Sequence, residues 1–199
     1  VKRTPGGTTR YILEDGGDRK NSDYDQHSVW AKLGINPNEN SEYYVNGHYI
    51  TKKKGDPPSI YGGNVFVTAP AFSQVDDRIT RYNDWGLDLS GRHDLTDRFA
   101  LKGKLFYHDH TDQYTSYANS KYDSTIAVSD YRDYSVGGYF SGDFRAAEWD
   151  SLRFAFHYQG DDHQERADRY QNFEDYFSTT GSLGLENEYT RIRNLSLVL

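Results

Sequence analysis

Apolar and polar residues alternate with a period of two along most of this chain. In residues 99–108, one set of alternate positions is mostly apolar and the other is mixed and charged. Successive side chains of a β-strand point to opposite faces, so this period predicts strands with one apolar face. We expect about eight strands of roughly 9–12 residues around these runs, the length that a tilted strand needs to cross a bilayer. The runs lie near 29–35, 43–49, 84–90, 99–108, 134–145, 151–159, 177–186 and 195–199.

Short and long connections alternate between the predicted strands. The short ones are rich in turn-forming residues and lie near 36–40, 94–97, 146–150 and 187–191. The long ones are polar and lie near 1–25, 51–81, 110–130 and 160–175. Outer-membrane barrels have short periplasmic turns and longer extracellular loops. We therefore predict an all-β fold, an antiparallel up-and-down meander of about eight strands. We expect residues 1–199 to be a partial barrel domain within a larger transmembrane β-barrel.

A soluble β-sandwich or jelly roll would also show alternation. Its core would need bulky residues, whereas the apolar positions here include Gly103, Gly138, Gly142 and Gly181. Aromatic residues also lie near both ends of the predicted strands, as in the girdles of membrane proteins. At the loop ends these are Trp85, Tyr107, Tyr134, Tyr158 and Phe177, and near the turns they are Phe99, Phe144 and Trp149.

The composition fits a folded chain whose apolar residues are thinly spread. Only 35% of residues are hydrophobic, yet 16% are aromatic, which separates the chain from disordered sequences. No cysteine is present, which excludes disulfides and thiolate metal sites. The net charge of -7 argues against a nucleic-acid partner. No apolar run reaches the length of a transmembrane helix.

Several segments together resemble a known family. Residues 15–25 read Asp-Gly-Gly-Asp-Arg-Lys-Asn-Ser-Asp-Tyr-Asp and lead into the predicted strand 27–35. The turn 37–40, Pro-Asn-Glu-Asn, then leads into the tyrosine-rich segment 41–44. This arrangement is similar to the barrel of TonB-dependent outer-membrane receptors. The loop with Lys52–Lys54 and Pro57–Pro58 and the predicted strand 176–186 are similar to parts of the same barrel.

The resemblance implies a bacterial outer-membrane protein with a barrel of about 22 strands. Such receptors bind a scarce small metal-chelate ligand, typically a ferric siderophore or haem, or cobalamin, and import it with energy relayed by TonB. The partners implied are outer-membrane lipid, the ligand, and TonB through parts outside this chain, since the chain contains no TonB-box-like segment, plug domain or terminal aromatic residue.

Histidines and acidic residues are candidates for contacting such a ligand. His108 and His110 share the polar side of one predicted strand, at its loop end and near Asp112. Imidazoles and carboxylates can bind a transition metal, and the alternative is a solvated rim. A second set, expected in the next loop, either joins the first in space or binds calcium through carboxylates, and its alternative is a hydrated acidic loop. This second set consists of Asp161, Asp162 and His163. These residues do not specify a metal.

Tyrosines form the other candidate binding set. Rigid amphipathic rings suit the capture of an aromatic chelate or a sugar, and self-packing of the loop is the alternative. The tyrosines of the predicted loop and its border are Tyr114, Tyr117, Tyr122, Tyr131 and Tyr134. The cluster Lys52–Lys54 could attract an anionic ligand or lipopolysaccharide phosphates, or form a solvated edge.

We expect binding and gated transport rather than catalysis. The chain has no nucleophile-elbow motif and no phosphate-binding glycine loop of the usual spacing. Its carboxylates lie in predicted solvated loops, where no feature separates their pKa values. We therefore predict no enzyme activity and no cofactor. The alternatives are a passive porin, a small outer-membrane barrel or adhesin, and a soluble β-rich carbohydrate-binding module.

Overall fold

The computed structural model describes residues 2–3, 9–10, 17–19, 21–57, 76–192 and 195–199. Their regular structure is entirely β, in one eight-stranded sheet and one separate pair of two-residue strands. The separate pair consists of β1 (Lys2–Arg3) and β2 (Thr9–Arg10). The sheet consists of β3 (Tyr24–Asn38), β4 (Ser41–Asp56), β5 (Asp76–Thr96), β6 (Phe99–Tyr117), β7 (Thr125–Ala147), β8 (Asp150–Arg166), β9 (Glu174–Tyr189) and β10 (Leu197–Val198).

Every strand of the sheet pairs antiparallel with its neighbours in chain order. This up-and-down order confirms the predicted all-β meander of eight strands. The sheet is open within the described part of the chain. β3 has a neighbour on one side only, and β10 pairs with just two residues of β9. None of the described residues forms a helix long and apolar enough to span a membrane.

The strands are much longer than predicted. β3 to β9 contain 15 to 23 residues each, so the prediction of short strands is wrong. Most of the added residues lie at the loop end, where polar side chains occupy both faces. On β6, for example, Thr111 and Gln113 alternate with Asp112 and Tyr114. Alternation of apolar with polar residues stops there, although the β-ladder continues to Tyr117.

The longer strands shorten the connections. The stretches predicted as loops near 110–130 and 160–175 are mostly strand, and the connections that remain are 118–124 and 167–173. Of the loop predicted near 51–81, residues 51–56 belong to β4 and residues 76–81 to β5, and residues 58–75 lie outside the described part of the chain. Most of the loop predicted near 1–25 also lies outside them. At the opposite end, turns of two residues join the strands at 39–40, 97–98 and 148–149.

Strand register separates the side chains into an apolar face and a polar face. Residues directly opposite each other on neighbouring strands share a face of the sheet. Leu87, Tyr107 and Val136 are opposite one another across β5, β6 and β7, and so belong to one face. The same register assigns to this apolar face the alternate positions Val29–Ile35, Tyr43–Tyr49, Trp85–Leu89, Leu101–Tyr107, Tyr134–Phe144, Leu152–Tyr158 and Phe177–Leu185.

The apolar face is not covered by any other described element. Each strand of the sheet contacts only its sheet neighbours. Leu105 is 63% exposed and Leu183 is 86% exposed, and Ala100 is the only buried apolar residue in the described part of the chain. A soluble domain buries its apolar faces between packed layers. The described residues form a single layer instead.

Candidate functional site

Aromatic side chains mark the loop-side limit of the apolar face. We name this set the loop-side aromatic row, and it consists of Tyr49, Trp85, Tyr107, Tyr134, Tyr158 and Phe177. The ring centroids of Trp85 and Tyr107 are 5.3 Å apart, and those of Tyr107 and Tyr134 are 6.3 Å apart. Most of these residues were expected at strand ends, but the row lies well inside the strands because the strands continue past it.

A second group of aromatic residues marks the turn-side limit. The ring of Phe99 lies 6.3 Å from that of Phe144 and 6.4 Å from that of Phe154. Trp149 lies 5.2 Å from Tyr189 in the same region. From Tyr134 to Phe144, β7 covers ten residues, or roughly 33 Å along the strand. At a strand tilt of about 40°, as in outer-membrane barrels, the two aromatic levels would be about 25 Å apart. We call the apolar face between these levels the apolar band.

The polar face behind the apolar band carries paired charges. Lys102 Nζ lies 2.8 Å from an Asp143 carboxylate oxygen, and Arg153 Nε donates to the other oxygen at 2.7 Å. Arg153 also donates to Glu186 at 3.0 Å. Asp88 lies 3.3 Å from Lys104 Nζ and 3.1 Å from His108 Nε2. These pairs cross from β5 to β9, so the charges on this face stabilise the sheet across strands.

Imidazoles and carboxylates alternate across five strands, β4 to β8, on the polar face near the level of the aromatic row. We name this set the His–Asp row, and it consists of His48, Asp84, His110, Asp133 and His163. His48 Nε2 lies 2.7 Å from Asp84 Oδ1, and His110 Nδ1 lies 3.6 Å from Asp84 Oδ2. His163 hydrogen-bonds Asp133, which lies opposite His110 in the ladder. The row presents acids, bases and hydrogen-bonding groups to the side away from the apolar face.

The first predicted set lies on one face but within a strand. His108 and His110 are both on the polar face, as the period predicted, and Asp112 lies 3.7 Å from His110 Nε2. The expectation that they lie at a strand end is wrong, because β6 continues to Tyr117. The described residues contain no group of three or more His, Asp or Glu side chains arranged to hold a metal ion.

The second predicted set is divided between the two faces. Asp161, Asp162 and His163 are consecutive residues of β8, not of a loop, so Asp162 points to the side opposite the other two. Asp161 accepts hydrogen bonds from Ser135 at 2.5 Å and Gln159 at 2.8 Å. It lies two strands from His108 in the same register row.

The predicted tyrosines do not form one cluster, and Tyr134 belongs to the loop-side aromatic row. Tyr131 stacks on His163 with ring centroids 6.2 Å apart, which joins it to the His–Asp row. Tyr117 and Tyr122 contact each other edge to face at 5.4 Å. Tyr114 donates to Asp56 at 2.9 Å and to Asp77 at 2.8 Å. Burial, and then its hydrogen bonds to Asp77 and Asp56, raise the pKa of Tyr114 far above its usual value. Tyr114 therefore remains a neutral donor and stabilises the ends of β4, β5 and β6.

Sequence reasoning missed three members of the His–Asp row. His48, Asp84 and Asp133 each lie on the polar side of a predicted strand or next to one, which is a signal too common to select them. Their association with His110 and His163 depends on the register of four strand pairs. Trp30 is a further addition, since it stacks on His48 with ring centroids 4.6 Å apart.

Replacing Asp133 by asparagine is expected to lower the pKa of His163. The hydrogen bond with Asp133 raises the pKa of His163, which lies five residues past Tyr158 and so outside the apolar band. Because the pKa is raised in the folded protein, the His163–Asp133 contact contributes its full stabilisation of the fold below about pH 6.5. That contribution is lost as pH rises through the folded-state pKa of His163. Titration of the imidazole NMR signals in micelles, assigned with His163→Gln, measures the change.

Asp161→Asn is the matched control for this titration. Asp161 lies two residues from His163 on the same face, but its hydrogen bonds go to Ser135 and Gln159. Its substitution should leave the pKa of His163 nearly unchanged. An unaltered His163 titration in Asp133→Asn would contradict the assigned pairing.

Comparison with known protein families, with curated proteins and with solved structures finds no match for this chain.

Proposed function

We propose that this chain forms part of the wall of a TonB-dependent outer-membrane receptor. Such a protein binds and imports a scarce ligand, for example a ferric siderophore, haem or cobalamin. The observation that carries the proposal is the exposed apolar band, bounded by aromatic residues at two levels. Its partners would be outer-membrane lipid, the ligand, and TonB through other parts of the receptor.

A bilayer accounts for the apolar band better than water does. Soluble monomers rarely expose a continuous apolar patch larger than a few hundred Å², and this one extends across seven strands. Outer-membrane barrels carry an outward apolar band about 25 Å tall between aromatic girdles. The separation estimated from Tyr134 to Phe144 agrees with that height. This agreement also weighs against the soluble carbohydrate-binding alternative.

The polar face has the chemistry of a hydrated barrel interior. Its charges are paired across strands, as in the contacts of Asp143 with Lys102 and Arg153. Interiors of outer-membrane barrels are polar and alternate with lipid-facing residues along each strand. A ligand passing inward from the loop side would meet the Tyr131 ring and the His–Asp row, which offer aromatic contact and hydrogen bonds.

The strand extensions favour a receptor over a minimal barrel. β6 continues for ten residues past Tyr107, or roughly 33 Å along the strand. The connections 118–124 and 167–173 are thereby held well outside the proposed bilayer. Rigid walls of this kind position binding residues away from the membrane, where a scarce ligand is captured before transport.

Uptake by the complete natural protein tests the function. We expect it to extract only with detergent from outer membranes and to show heat-modifiable gel mobility. Cells that produce it should accumulate one labelled ligand from a panel of ferric siderophores, haem and cobalamin, and a protonophore should abolish that uptake. Uptake that persists with the protonophore would indicate a passive porin. A protein that remains in aqueous buffer would overturn the membrane assignment.

A further inference from the structure

A groove of about 820 Å³ interrupts the apolar band. Gly91 and Gly103 lie opposite each other on β5 and β6, between the Tyr43 and Phe140 rings in the same register row. A Cβ at Gly91 would meet the Tyr43 ring at 2.4 Å, so that ring already lies across Gly91. A Cβ at Gly103 would meet nothing closer than 3.8 Å. The open floor of the groove is therefore at Gly103.

The groove has the length of one lipid leaflet. Its lining extends from the level of Leu101 to that of Val136, which lies opposite Tyr107. These six residues cover roughly 20 Å along the strand. With a barrel tilt of about 40°, this is about 15 Å of membrane depth, half of the ~30 Å hydrocarbon core. An acyl chain of a single leaflet covers the same depth.

A polar trio lies at the turn-side end of the groove. His93 is two residues from Gly91 on the same face, and its Nδ1 lies 3.0 Å from Ser41 Oγ and 2.9 Å from Tyr43 Oη. In the tautomer whose Nδ1 accepts from these hydroxyls, Nε2 carries a proton. An Nε2–H donor at this level can bind a phosphate oxygen, and protonated imidazole would bind it more strongly.

We propose that this groove is a binding site for a phospholipid of the turn-side leaflet. One acyl chain lies over Gly103 between Tyr43 and Phe140, and the phosphate group lies at His93. This inference rests on the proposed function, because it requires the apolar band to face a bilayer. Because the polar trio lies at the turn-side end of the groove, the bound lipid belongs to the turn-side leaflet. The groove spans about 15 Å along the membrane normal, which matches one acyl chain of a single leaflet.

Filling the groove is the direct test of this site. Gly103→Leu adds a side chain to the open floor without displacing backbone, whereas Gly181→Leu adds the same side chain to the apolar face of β9, outside the groove. The complete natural protein and both variants are purified in mild detergent with added dipalmitoyl phosphatidylethanolamine. The lipid retained per protein molecule is then measured by native mass spectrometry.

We expect the natural protein and Gly181→Leu to retain one phospholipid with equal affinity. Gly103→Leu displaces two or three methylene groups from the groove and should weaken retention roughly tenfold or more. His93→Phe, which keeps an aromatic ring but removes the Nε2 donor, should weaken retention of the phospholipid but not of a fatty alcohol of equal chain length.

Two outcomes would overturn the site, and they are distinguishable. Equal retention in Gly103→Leu and Gly181→Leu, with heat-modifiable mobility in both, would reject the groove and keep the membrane barrel. Absence of heat-modifiable mobility in the natural protein would reject the membrane assignment together with the lipid site.

Discussion

Replacing Leu183 by arginine is expected to destabilise the protein in a phospholipid bilayer by about 2–4 kcal/mol. Leu183 lies on the apolar face near the middle of the apolar band and is 86% exposed. In lipid, a guanidinium at this depth loses its hydration, and its side chain is too far from either interface to avoid the cost. In water the same substitution would remove an exposed apolar side chain, with an effect of less than about 0.5 kcal/mol.

Ser182→Arg is the matched control for Leu183→Arg. The two residues are neighbours on β9 and both are exposed, but Ser182 belongs to the polar face. A hydrated barrel interior accepts an added charge there at little cost. Urea unfolding of the complete protein in phospholipid vesicles measures both free energies. Equal effects of the two substitutions would mean that the two faces meet the same solvent, which would exclude a lipid-facing band.

How much of each strand could be predicted depended on the difference in polarity between its two faces. In the segment 99–108 the mostly apolar positions alternate with a mixed set that includes Lys102, Lys104 and His108, and this local pattern was enough to predict a strand there. Beyond Tyr107 both faces are polar, so the period disappears while the backbone pairing continues. Hydrophobic periodicity therefore indicated the apolar band rather than the ends of the strands.

The candidate site was predictable only where it depends on local geometry. His108 and His110 share a face because they are two residues apart on one strand. The His–Asp row requires the register of four strand pairs, and an irregularity between Ile79 and Arg81 shifts the pairing of β5 with β6. Because residues 161–163 were predicted to lie in a loop, Asp162 was grouped with Asp161 and His163. They lie in β8, where Asp162 faces the side opposite its two neighbours.

Removing the carboxylate of Asp130 is expected to cost about 3–5 kcal/mol of unfolding free energy, as for other buried pairs that lose one partner. The side chain of Asp130 is only 3% exposed and accepts hydrogen bonds from three groups. Arg81 donates at 3.1 Å, Arg166 Nε at 2.8 Å and Gln113 at 2.8 Å. Asp130→Ala leaves two guanidinium groups without this shared anion, at a level where β5, β6, β7 and β8 extend past the apolar band.

Asp123→Ala separates this effect from a general loss of acidic charge. Asp123 is exposed at the same end of the sheet and accepts a hydrogen bond from Asn119 Nδ2 at 2.9 Å. Its substitution should change the free energy of unfolding by less than about 0.5 kcal/mol. Chemical unfolding in detergent micelles compares the two variants. Similar small losses in both would contradict the role of Asp130 in joining the strand extensions.

The Asp130 carboxylate is also expected to make the free energy of unfolding depend on pH. Burial raises the pKa of Asp130, but hydrogen bonds from Gln113 and Arg166 and the charges of Arg166 and Arg81 outweigh burial, so the pKa is below its usual value. Its stabilising contribution is therefore complete above the unfolded-state pKa of about 3.9 and is lost as pH falls through the lower folded-state value. Natural protein should lose more stability on acidification than Asp130→Asn, which has no carboxylate to protonate. Parallel acid profiles for the two proteins would show that Asp130 is not the anion that the two arginines require.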